Sequence, residues 1–392
     1  MNILIINTGS SSLKYQLFDM DAATVITGGV VERIGEAEGI MTHKTYNGDD
    51  VQKDRITQPI PDHKAAMHLV ADQITQNIDA IGHRVVQGGE AFKEATLITE
   101  DVKNAIEANN PLAPLHNPPN LIGIRVAETL FPGKPQVAVF DTNFHQTIPE
   151  KAYLYALPYE YYTKHRVRRY GFHGTSHKYV AGEAARLMGK SPDAVNLITL
   201  HLGNGCSISA VKNGECQDTS MGMTPLAGVM MGTRCGDLDP AVFGYLMDNT
   251  GLDQKALDDV LNKKSGLKGI CGYNDLRDIH DQSAAGDKNA ALAVDMFAYQ
   301  IKKYIGAYAA VLGRVDALVF TAGVGENDEI VRAKALEDLD FLGIEIDREV
   351  NDVRNPEPHT IHTENSRIQV WVVPTDEERQ IAIETRAVLE NA

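Results

Sequence analysis

Arginines that could bind an anion stand in glycine-rich or polar loops of this chain. Arg84 precedes Gly88 and Gly89, Arg234 lies within the segment GTRCGD, and Arg277 lies within YNDLRD. A guanidinium group stays charged and presents a planar fork that can bind two oxygens of a phosphate or a carboxylate. Small neighbours leave that fork accessible. Arg84 and Arg234 are therefore the leading candidates for binding a negatively charged substrate.

The segment ILIINTGSSSLKYQLFD, residues 3–19, predicts a β-hairpin with small polar residues in its turn. An apolar strand at 3–6 leads into NTGSSS at 7–12, and apolar residues then alternate with polar ones. Because Gly9 and the serines add little bulk, backbone N–H groups and hydroxyls could approach a phosphate here. A serine-rich turn that binds nothing is the alternative, and this segment alone does not decide between them.

The same design recurs in the second half of the chain. Residues 197–211, LITLHLGNGCSISAV, repeat the order of apolar strand, glycines, serine and alternating strand. A third apolar strand runs into glycines at 317–327, ALVFTAGVGEN, where we expect a glycine turn. One glycine turn after a strand is weak evidence, but three make coincidence a poor explanation. The two hairpins predict a duplicated architecture that presents two loops to phosphate.

The composition fits two α/β domains and excludes several kinds of partner. The chain has 392 residues, 43% of them hydrophobic, and its net charge is −16. That charge argues against nucleic acid or an anionic membrane as a partner, whereas a phosphorylated small molecule needs only local cations. The sequence shows no membrane span and no signal peptide, and its four cysteines are scattered, so we expect a cytoplasmic protein with reduced thiols.

Strand and helix patterns alternate throughout, which is typical of α/β proteins. The segment PLAPLHNPPN at 111–120, with its four prolines, predicts a rigid loop. The elements predicted around it are helices at 63–78, about 120–130, about 287–312 and from near Asp376 to the end, and strands at 79–86 and 136–140.

The sequence resembles the acetate kinase family over essentially its whole length. The segments that carry the resemblance, in chain order, are LIINTGSSSLKY (4–15), GHRVVQGGE (82–90), PLAPLHNPPN (111–120), VFDTNFH (139–145), RRYGFHGTSHKYV (168–180), HLGNGCS (201–207), DTSMGMTPLAGVMMGTRCGDLDP (218–240), FTAGVGEN (320–327) and TDEE (375–378). So many long matches in the same order make a chance resemblance very improbable.

The resemblance implies a fold and a division into domains. The family belongs with actin, sugar kinases and heat-shock chaperones, whose fold has two duplicated ribonuclease-H-like domains around a nucleotide cleft. It implies an N-terminal domain of residues 1–146 with the C-terminal helix 379–392. Residues 147–378 would then form the nucleotide-binding domain.

The resemblance also implies reversible, Mg-ATP-dependent phosphorylation of acetate to acetyl phosphate by direct in-line transfer. Acetate is ionised at neutral pH, so no general base is needed. The enzyme has to align the reactants and neutralise charge on the transferred group. The family assigns this work to Arg84, Arg234, Asp141 and His173. Removing either arginine should slow turnover by about 10²–10³-fold, as for other charge-stabilising donors.

The roles of the acid and the histidine stay open at this point. Asp141 ends the apolar strand QVAVF, and an acid there could orient Arg84, accept a proton or order Mg²⁺ through water. His173 lies in the segment GFHG, where the backbone can approach a ligand. It could donate to the transferred phosphoryl group or, less simply, carry it as a phosphohistidine. A structural role is the better prediction for His177.

The remaining binding residues also follow from the resemblance. The predicted magnesium ligands are Asn7 and Glu377, with Mn²⁺ as an alternative metal. The predicted acetate pocket is formed by Arg84, Val86, Leu115, Phe172 and Pro225. The predicted ATP-binding residues are Ser10, Ser12, Lys14, His201, Leu202, Gly203, Asn204, Gly205, Asp275, Leu276, Arg277, Gly323, Val324, Gly325, Glu326 and Asn327. Arg277 could stack on the adenine, and Asp275 could accept ribose hydroxyls.

Two other functions stay as alternatives. One is a kinase for propionate or another short carboxylic acid. Val86 argues against it, since valine leaves little room for a longer acid, although one methylene changes specificity by only about 1–3 kcal/mol. The other is a nucleotide-driven binding module or chaperone, which would need a peptide-binding appendage that the sequence does not provide. The family predicts a homodimer formed by the second domain, with the apolar run 221–231 as a candidate interface.

Overall fold

The computed structural model describes residues 1–9, 11–48 and 50–391. Within these ranges the strands are β1 Asn2–Thr8, β2 Ser12–Asp19, β3 Thr24–Glu32, β4 Gly39–Asn47, β5 Asp50–Gln58, β6 Ala80–Val85, β7 Thr96–Leu97, β8 Gln136–Phe140, β9 Asn196–Leu202, β10 Cys206–Lys212, β11 Glu215–Thr219, β12 Ala317–Thr321, β13 His359–Thr360 and β14 Gln369–Val372.

The α-helices are α1 His63–Gln73, α2 Glu100–Ala108, α3 Asn117–Leu130, α4 Glu150–Tyr153, α5 Glu160–His165, α6 Gly174–Leu187, α7 Ala241–Thr250, α8 Gln254–Lys263, α9 Gly266–Cys271, α10 Leu276–Ala284, α11 Lys288–Leu312, α12 Ala322–Asn327, α13 Glu329–Leu336, α14 Arg348–Asn351 and α15 Glu377–Glu390. Short 3₁₀ helices cover Asn110–Leu112, Asn143–Thr147, Pro192–Ala194 and Asp340–Leu342. In the described part of the chain, no helix combines the length and the apolar character that crossing a bilayer requires.

The chain divides into two compact units. Unit 1 comprises Met1–Gln146 and Asp376–Ala392, and unit 2 comprises Thr147–Thr375. Residues 376–378 therefore group with unit 1, whereas the predicted boundary assigned them to the second domain. The reason is local, because Asp376 caps α15 by accepting the N–H of Arg379 and cannot be separated from that helix.

Unit 1 is built on a mixed sheet whose described strands follow the order β5-β4-β3-β2-β1-β6-β8-β7. The strands β1, β6 and β8 run parallel, and β1 and β2 form the predicted antiparallel hairpin. Alternate residues of β1 point to opposite faces of the sheet. Leu4 and Ile6 pack in a core with residues of α1, whereas Ile3 and Ile5 pack with Ile381 of α15. With apolar layers on both faces, β1 and its neighbours are fixed in place.

Unit 2 repeats this plan around a second sheet, β11-β10-β9-β12-β14-β13. The strands β9, β12 and β14 run parallel, and β9 and β10 form an antiparallel hairpin like β1 and β2. The long helix α11 starts at its cap Asp287 and buries a face that includes Phe297 and Ile301. The predictions of an α/β fold, of both hairpins and of the helix at 287–312 are confirmed.

Three predicted elements differ from the structure. Helix α1 ends at Gln73 because Ile74 is extended, and Ile78 instead enters the core ahead of β6. Helix α3 begins within the proline-rich segment at Asn117, since a proline in a first turn lacks only an N–H that the helix does not use. The expected glycine turn after β12 is the short helix α12. Its start is held by Glu326, whose Oε1 accepts the N–H of Ala322 at 2.8 Å.

Candidate active site

Arg84 and Asp141 form an ion pair at the ends of two parallel strands in unit 1. Arg84 lies near the end of β6, and Asp141 directly follows β8. The N–H of Asp141 donates to the carbonyl of Val85 at 2.9 Å, which places the acid beside the arginine. Its carboxylate oxygens accept from Nε and Nη2 of Arg84 at 2.9 and 2.6 Å. This two-point contact holds the guanidinium plane in one orientation.

Two further oxygens surround the same guanidinium. Nη1 of Arg84 donates to Oδ1 of Asn7 at 3.2 Å, because these residues are paired in the register of β1 and β6. Oε2 of Glu377 lies 3.9 Å from Nε. Burial lowers the pKa of Arg84, but the charges of Asp141 and Glu377 more than compensate and raise it. Arg84 is therefore a permanent cation with a fixed orientation.

Glu377 is an unusual carboxylate at the first position of α15. Burial raises its pKa to about 7, although the charges of Arg84 and Lys14 act to lower it. A divalent cation beside this group would favour the ionised form. Amide and carboxylate oxygens are ligands that Mg²⁺ accepts, together with phosphate and water. Asn7 and Glu377 thus fit a magnesium ion that is held mainly by its substrate.

The described residues contain no cluster of three or more His, Cys, Asp or Glu side chains that could hold a metal ion by themselves. A site built from Asn7 and Glu377 would therefore depend on oxygens supplied by the nucleotide. Such a sparse protein contribution is common for Mg²⁺ in phosphoryl-transfer enzymes.

Three histidines cluster in unit 2 through ring stacking and hydrogen bonds. The rings of His173 and His201 stack with centroids 4.1 Å apart. His177 lies behind them, and its Nε2 is bonded to Oγ of Ser207 at 2.7 Å, while Nδ1 of His173 is bonded to the same oxygen at 2.9 Å. His177 is fully buried, which agrees with the structural role predicted for it. His173 is half-buried and caps α6 with a left-handed backbone, φ 56°.

Gly205 connects this group to Arg234. A methyl group added at Gly205 would lie 3.4 Å from Nη1 of Arg234 and 3.5 Å from Cε1 of His173. The same nitrogen of Arg234 donates to the carbonyl of Pro225 at 3.2 Å, and burial lowers the pKa of this arginine. The structure therefore brings Arg234, His173 and the glycine loop after β9 together within unit 2.

A cavity of about 620 Å³ opens beside that loop, entirely within unit 2. Glycines at two strand ends supply part of its wall, and the first turn of α10 supplies another part. Its lining consists of Gly203, Asn204, Gly232, Leu267, Asn274, Asp275, Leu276, Arg277, Gly323, Val324, Asn327, Asp328 and Arg354. The volume is in the range of sites for nucleotide-sized ligands.

Comparison with known proteins agrees with this geometry. A family model described as the acetokinase family matches residues 2–383. The chain belongs to the acetokinase family. Acetate kinase of Oleidesulfovibrio alaskensis is 56% identical over 393 residues, covering 97% of this chain and 98% of the relative.

Solved structures of similar proteins superpose along nearly the whole chain. The crystal structure of Porphyromonas gingivalis acetate kinase has a TM-score of 0.93 and 45% identity, with 99% of both chains covered. A propionate kinase from Francisella tularensis has a TM-score of 0.92 and 42% identity over the same shares. Solved structures named for each of these two activities therefore lie at a similar distance from this chain.

Many of the residues predicted from the acetokinase resemblance converge in the structure, although their roles stay predictions. Those predicted for ATP that line the cavity are Gly203, Asn204, Asp275, Leu276, Arg277, Gly323, Val324 and Asn327. His201 and Leu202 end β9, Gly205 directly precedes β10, and Gly325 and Glu326 lie within α12. Lys14 and Ser12 lie on β2 in unit 1, and Ser10 lies outside the described residues.

Asp275 and Arg277 are engaged with each other in this acetokinase-family chain. Asp275 caps α10, and its carboxylate accepts from Nε and Nη2 of Arg277 at 3.0 and 2.6 Å. This pairing lowers the pKa of Asp275 to about 2. The pair can stay closed in both predicted roles, because a guanidinium stacks through its face and a carboxylate oxygen accepts more than one hydrogen bond.

The residues predicted for the acetate pocket differ widely in how deeply they are buried. Val86 is buried, and its N–H donates to Oδ1 of Asn120 at 3.1 Å, whereas Leu115 is 65% exposed. Phe172 is buried in unit 2, and Pro225 is half-buried there. The pocket stays a prediction.

Sequence reasoning missed several residues that line the cavity. They are Gly232, Leu267, Asn274, Asp328 and Arg354. Asn274 and Asp328 adjoin predicted segments and could have been found by extending them. Arg354 belongs to an exposed segment after α14 without glycine neighbours, and only the fold brings it to the cavity.

Proposed function

We propose that this chain catalyses the reversible, Mg-ATP-dependent phosphorylation of acetate to acetyl phosphate. The observation that carries the proposal is the oriented Arg84–Asp141 pair, with Asn7 and Glu377 around it, in a chain of the acetokinase family. A fixed guanidinium suits a reaction in which the nucleophile is a carboxylate. Curated relatives named acetate kinase support the choice of acetate.

The chemistry is a single displacement at phosphorus. An oxygen of acetate forms a bond to the γ-phosphorus of ATP while the bond to the bridging oxygen of ADP breaks. ADP leaves with that electron pair, and no proton has to move because acetate is already ionised. The protein contributes alignment and charge neutralisation, which are the main requirements of phosphoryl transfer. In this scheme Asp141 orients Arg84 and does not act as a base.

Unit 2 supplies the nucleotide site and two further groups for the transferred phosphoryl. The cavity at Gly203 and Asn204 takes the nucleotide, and the adjoining Arg234 and His173 donate to developing negative charge. The imidazole of His173 is held by a bond from Nδ1 to Ser207, and its Nε2 lies on the side of Gly205. Mg²⁺, held by Glu377 and Asn7 with phosphate oxygens, would neutralise charge on the nucleotide.

Trapping of the acyl phosphate as a hydroxamate tests the proposal directly. Purified protein with Mg-ATP should give hydroxamate with acetate, and a lower kcat/KM with propionate. The Francisella neighbour makes propionate the relevant competitor. A higher kcat/KM with propionate would establish the alternative function, and ATP loss without any hydroxamate would contradict both kinase functions.

Labelling the protein with γ-labelled ATP distinguishes direct transfer from a mechanism with a phosphohistidine intermediate. After incubation with γ-labelled ATP in the absence of acetate, we expect no base-stable, acid-labile label on the protein. Stoichiometric label that disappears in the variant His173→Gln would overturn direct transfer.

The proposal includes a cytoplasmic location and a homodimer formed by two-domain subunits. The four cysteines are free thiols, as expected in a reducing compartment. Units 1 and 2 would be the duplicated actin-like domains, since their sheets share one strand plan. The run 221–231 is a poor interface candidate, because Met221, Val229, Met230 and Met231 are already buried inside unit 2.

A further inference from the structure

Two separate segments of unit 2 contribute to the lining of the nucleotide-sized cavity. One is the start of α10, with Asp275, Leu276 and Arg277, and the other runs from Gly323 through α12 to Asp328. Both α10 and α13 pack against the long helix α11. The width of the cavity therefore depends on what fixes α10 relative to the segment ending at Asp328.

An ion pair connects the two segments directly. His280 lies one helical turn after Leu276 on α10, and its Nε2 is 2.8 Å from Oδ2 of Asp328. The two side chains are 22% and 10% exposed. The other oxygen of Asp328 accepts the N–H of Val331 at 2.9 Å and so caps α13. Asp328 is thus fixed by its own helix and holds His280 at a set distance.

The segment on the Asp328 side is itself rigid. The buried side chain of Arg332 donates from Nη1 to the carbonyls of Gly325 and Glu326, each at 3.1 Å, and from Nε to Oδ1 of Asn351 at 2.9 Å. The Asp328 side of the cavity wall is therefore fixed, and the His280–Asp328 contact ties α10 to it.

We propose that His280 and Asp328 form a positioning pair that sets the spacing of the two cavity walls and thereby the affinity for nucleotide. This inference rests on the proposed function only in taking the cavity as a nucleotide site. Neither residue is proposed to touch the reacting atoms. Their effect should appear in nucleotide binding and leave the chemical step unchanged.

The charges around His280 make this link sensitive to pH. His280 faces Asp328 and Glu329 at the start of α13 and Asp281 on its own helix, and the hydrogen bond to Asp328 raises its pKa. A histidine with a raised pKa in the folded state keeps its ionic contact at low pH and loses it as pH rises through that pKa. Nucleotide affinity should therefore weaken toward alkaline pH.

The test measures ADP binding by calorimetry, which needs no turnover of acetate. The variant His280→Ala should weaken ADP binding about tenfold at neutral pH, in line with loss of a charged hydrogen bond. The variant His280→Gln, which can still donate to Asp328, should recover most of that loss. His359→Gln is the matched control, since the His359 side chain bonds the nearby carbonyl of Glu357 and does not line the cavity.

A pH series separates positioning from simple structural support. From about pH 6 to about pH 9, wild-type affinity for ADP should fall, and Asp328→Asn should flatten this dependence because asparagine keeps the cap but not the charge. Unchanged ADP affinity in His280→Ala would overturn the inference, even if the melting temperature fell. If the protein bound ADP tightly but made no acyl hydroxamate, the proposed reaction would be refuted and the inference about His280 would stand.

Discussion

At the scale of single residues, the candidate site depends on which atoms of Arg84 remain to bind substrate. Asp141 occupies Nε and Nη2 and is itself almost fully buried, so the pair has one geometry. Nη1 of the guanidinium makes a longer hydrogen bond, 3.2 Å, to Oδ1 of Asn7. An anionic oxygen of the substrate could replace that weaker contact. Orientation of the arginine is thus the main contribution of Asp141.

Replacing that acid by its amide tests this role. Asp141→Asn should lower kcat about 10²–10³-fold, because an amide cannot accept from both nitrogens of Arg84 and the fork loses its orientation. Steady-state assay of acyl phosphate formation measures the effect. The exposed substitution Asp54→Asn is the control, and near-normal kcat in Asp141→Asn would show that Arg84 is oriented by other contacts.

Val86 provides a second test at this scale. Its side chain is 6% exposed and its backbone is held by Asn120. A smaller residue would therefore leave an empty space that the backbone does not move to fill. Val86→Ala should shift the ratio of kcat/KM for propionate over acetate upward about tenfold, the amount expected for one methylene. Val51→Ala on an exposed strand is the control. An unchanged ratio would place the acyl chain elsewhere.

At the scale of elements, the site depends on close approaches between loops of unit 2. Gly266 begins α9 with φ +63°, and a Cβ there would run into the carbonyl of Met231 and come within 2.6 Å of the carbonyl of Arg234. The N–H of Leu267 donates to the same carbonyl of Met231. The start of α9 therefore supports the backbone that carries Arg234.

Replacing Gly266 should lower the stability of the fold, and comparison with a second glycine separates the effect of the clash from that of the positive φ. Gly266→Ala should reduce the free energy of unfolding by about 3 kcal/mol or more, since strain at positive φ and a backbone clash act together. Gly251→Ala shares a positive φ, +70°, but its Cβ would meet nothing within 4 Å. Denaturant unfolding compares the two, and equal losses would contradict the role assigned to the clash.

The sequence predicted the elements better than it predicted the cavity. Both hairpins and α11 follow from local patterns, because strand alternation, turn residues and caps act over a few positions. Arg84 could be singled out by the glycines that follow it, and Asp141 because it comes directly after an apolar strand. The His280–Asp328 contact and the place of Arg354 depend on how distant segments pack around α11. Neighbouring residues in the sequence carry no trace of such packing.

The helix after β12 shows why a glycine pattern was misleading. Ala322, with φ 65°, turns the chain out of the strand, and Glu326 then closes the helical turn by accepting its N–H. The side chain of Glu326, four residues after Ala322, thus holds Gly323 and Gly325 in a helical turn. Without that contact the same glycines would be typical of an open turn.

At the scale of the whole molecule, the chain presents several large apolar side chains to solvent. On unit 2, Phe341 is 71% exposed, Tyr245 67% and Tyr299 62%. Exposed aromatic side chains of this kind are enriched at protein interfaces. They are better candidates for subunit contact than the buried run 221–231.

Light scattering coupled to size exclusion tests the assembly. We expect a particle of twice 42.9 kDa, because the proposed homodimer would cover part of this apolar surface. Tyr245→Glu and Tyr299→Glu, measured separately, should identify which part of the surface is covered. A single species of 42.9 kDa at micromolar concentration would contradict the dimer.

The last helix of the chain has a consequence for how the protein is made. Helix α15 covers the face of the first sheet that carries Ile3 and Ile5, and it approaches Gly82 so closely that a methyl group there would strike Thr385 and Ile381. The ribosome releases these residues only after all of unit 2 has been synthesised. The N-terminal part of unit 1, Met1–Gln146, therefore waits with an uncovered apolar sheet until α15 has been synthesised. A nascent chain stalled before Asp376 should recruit chaperones through that face.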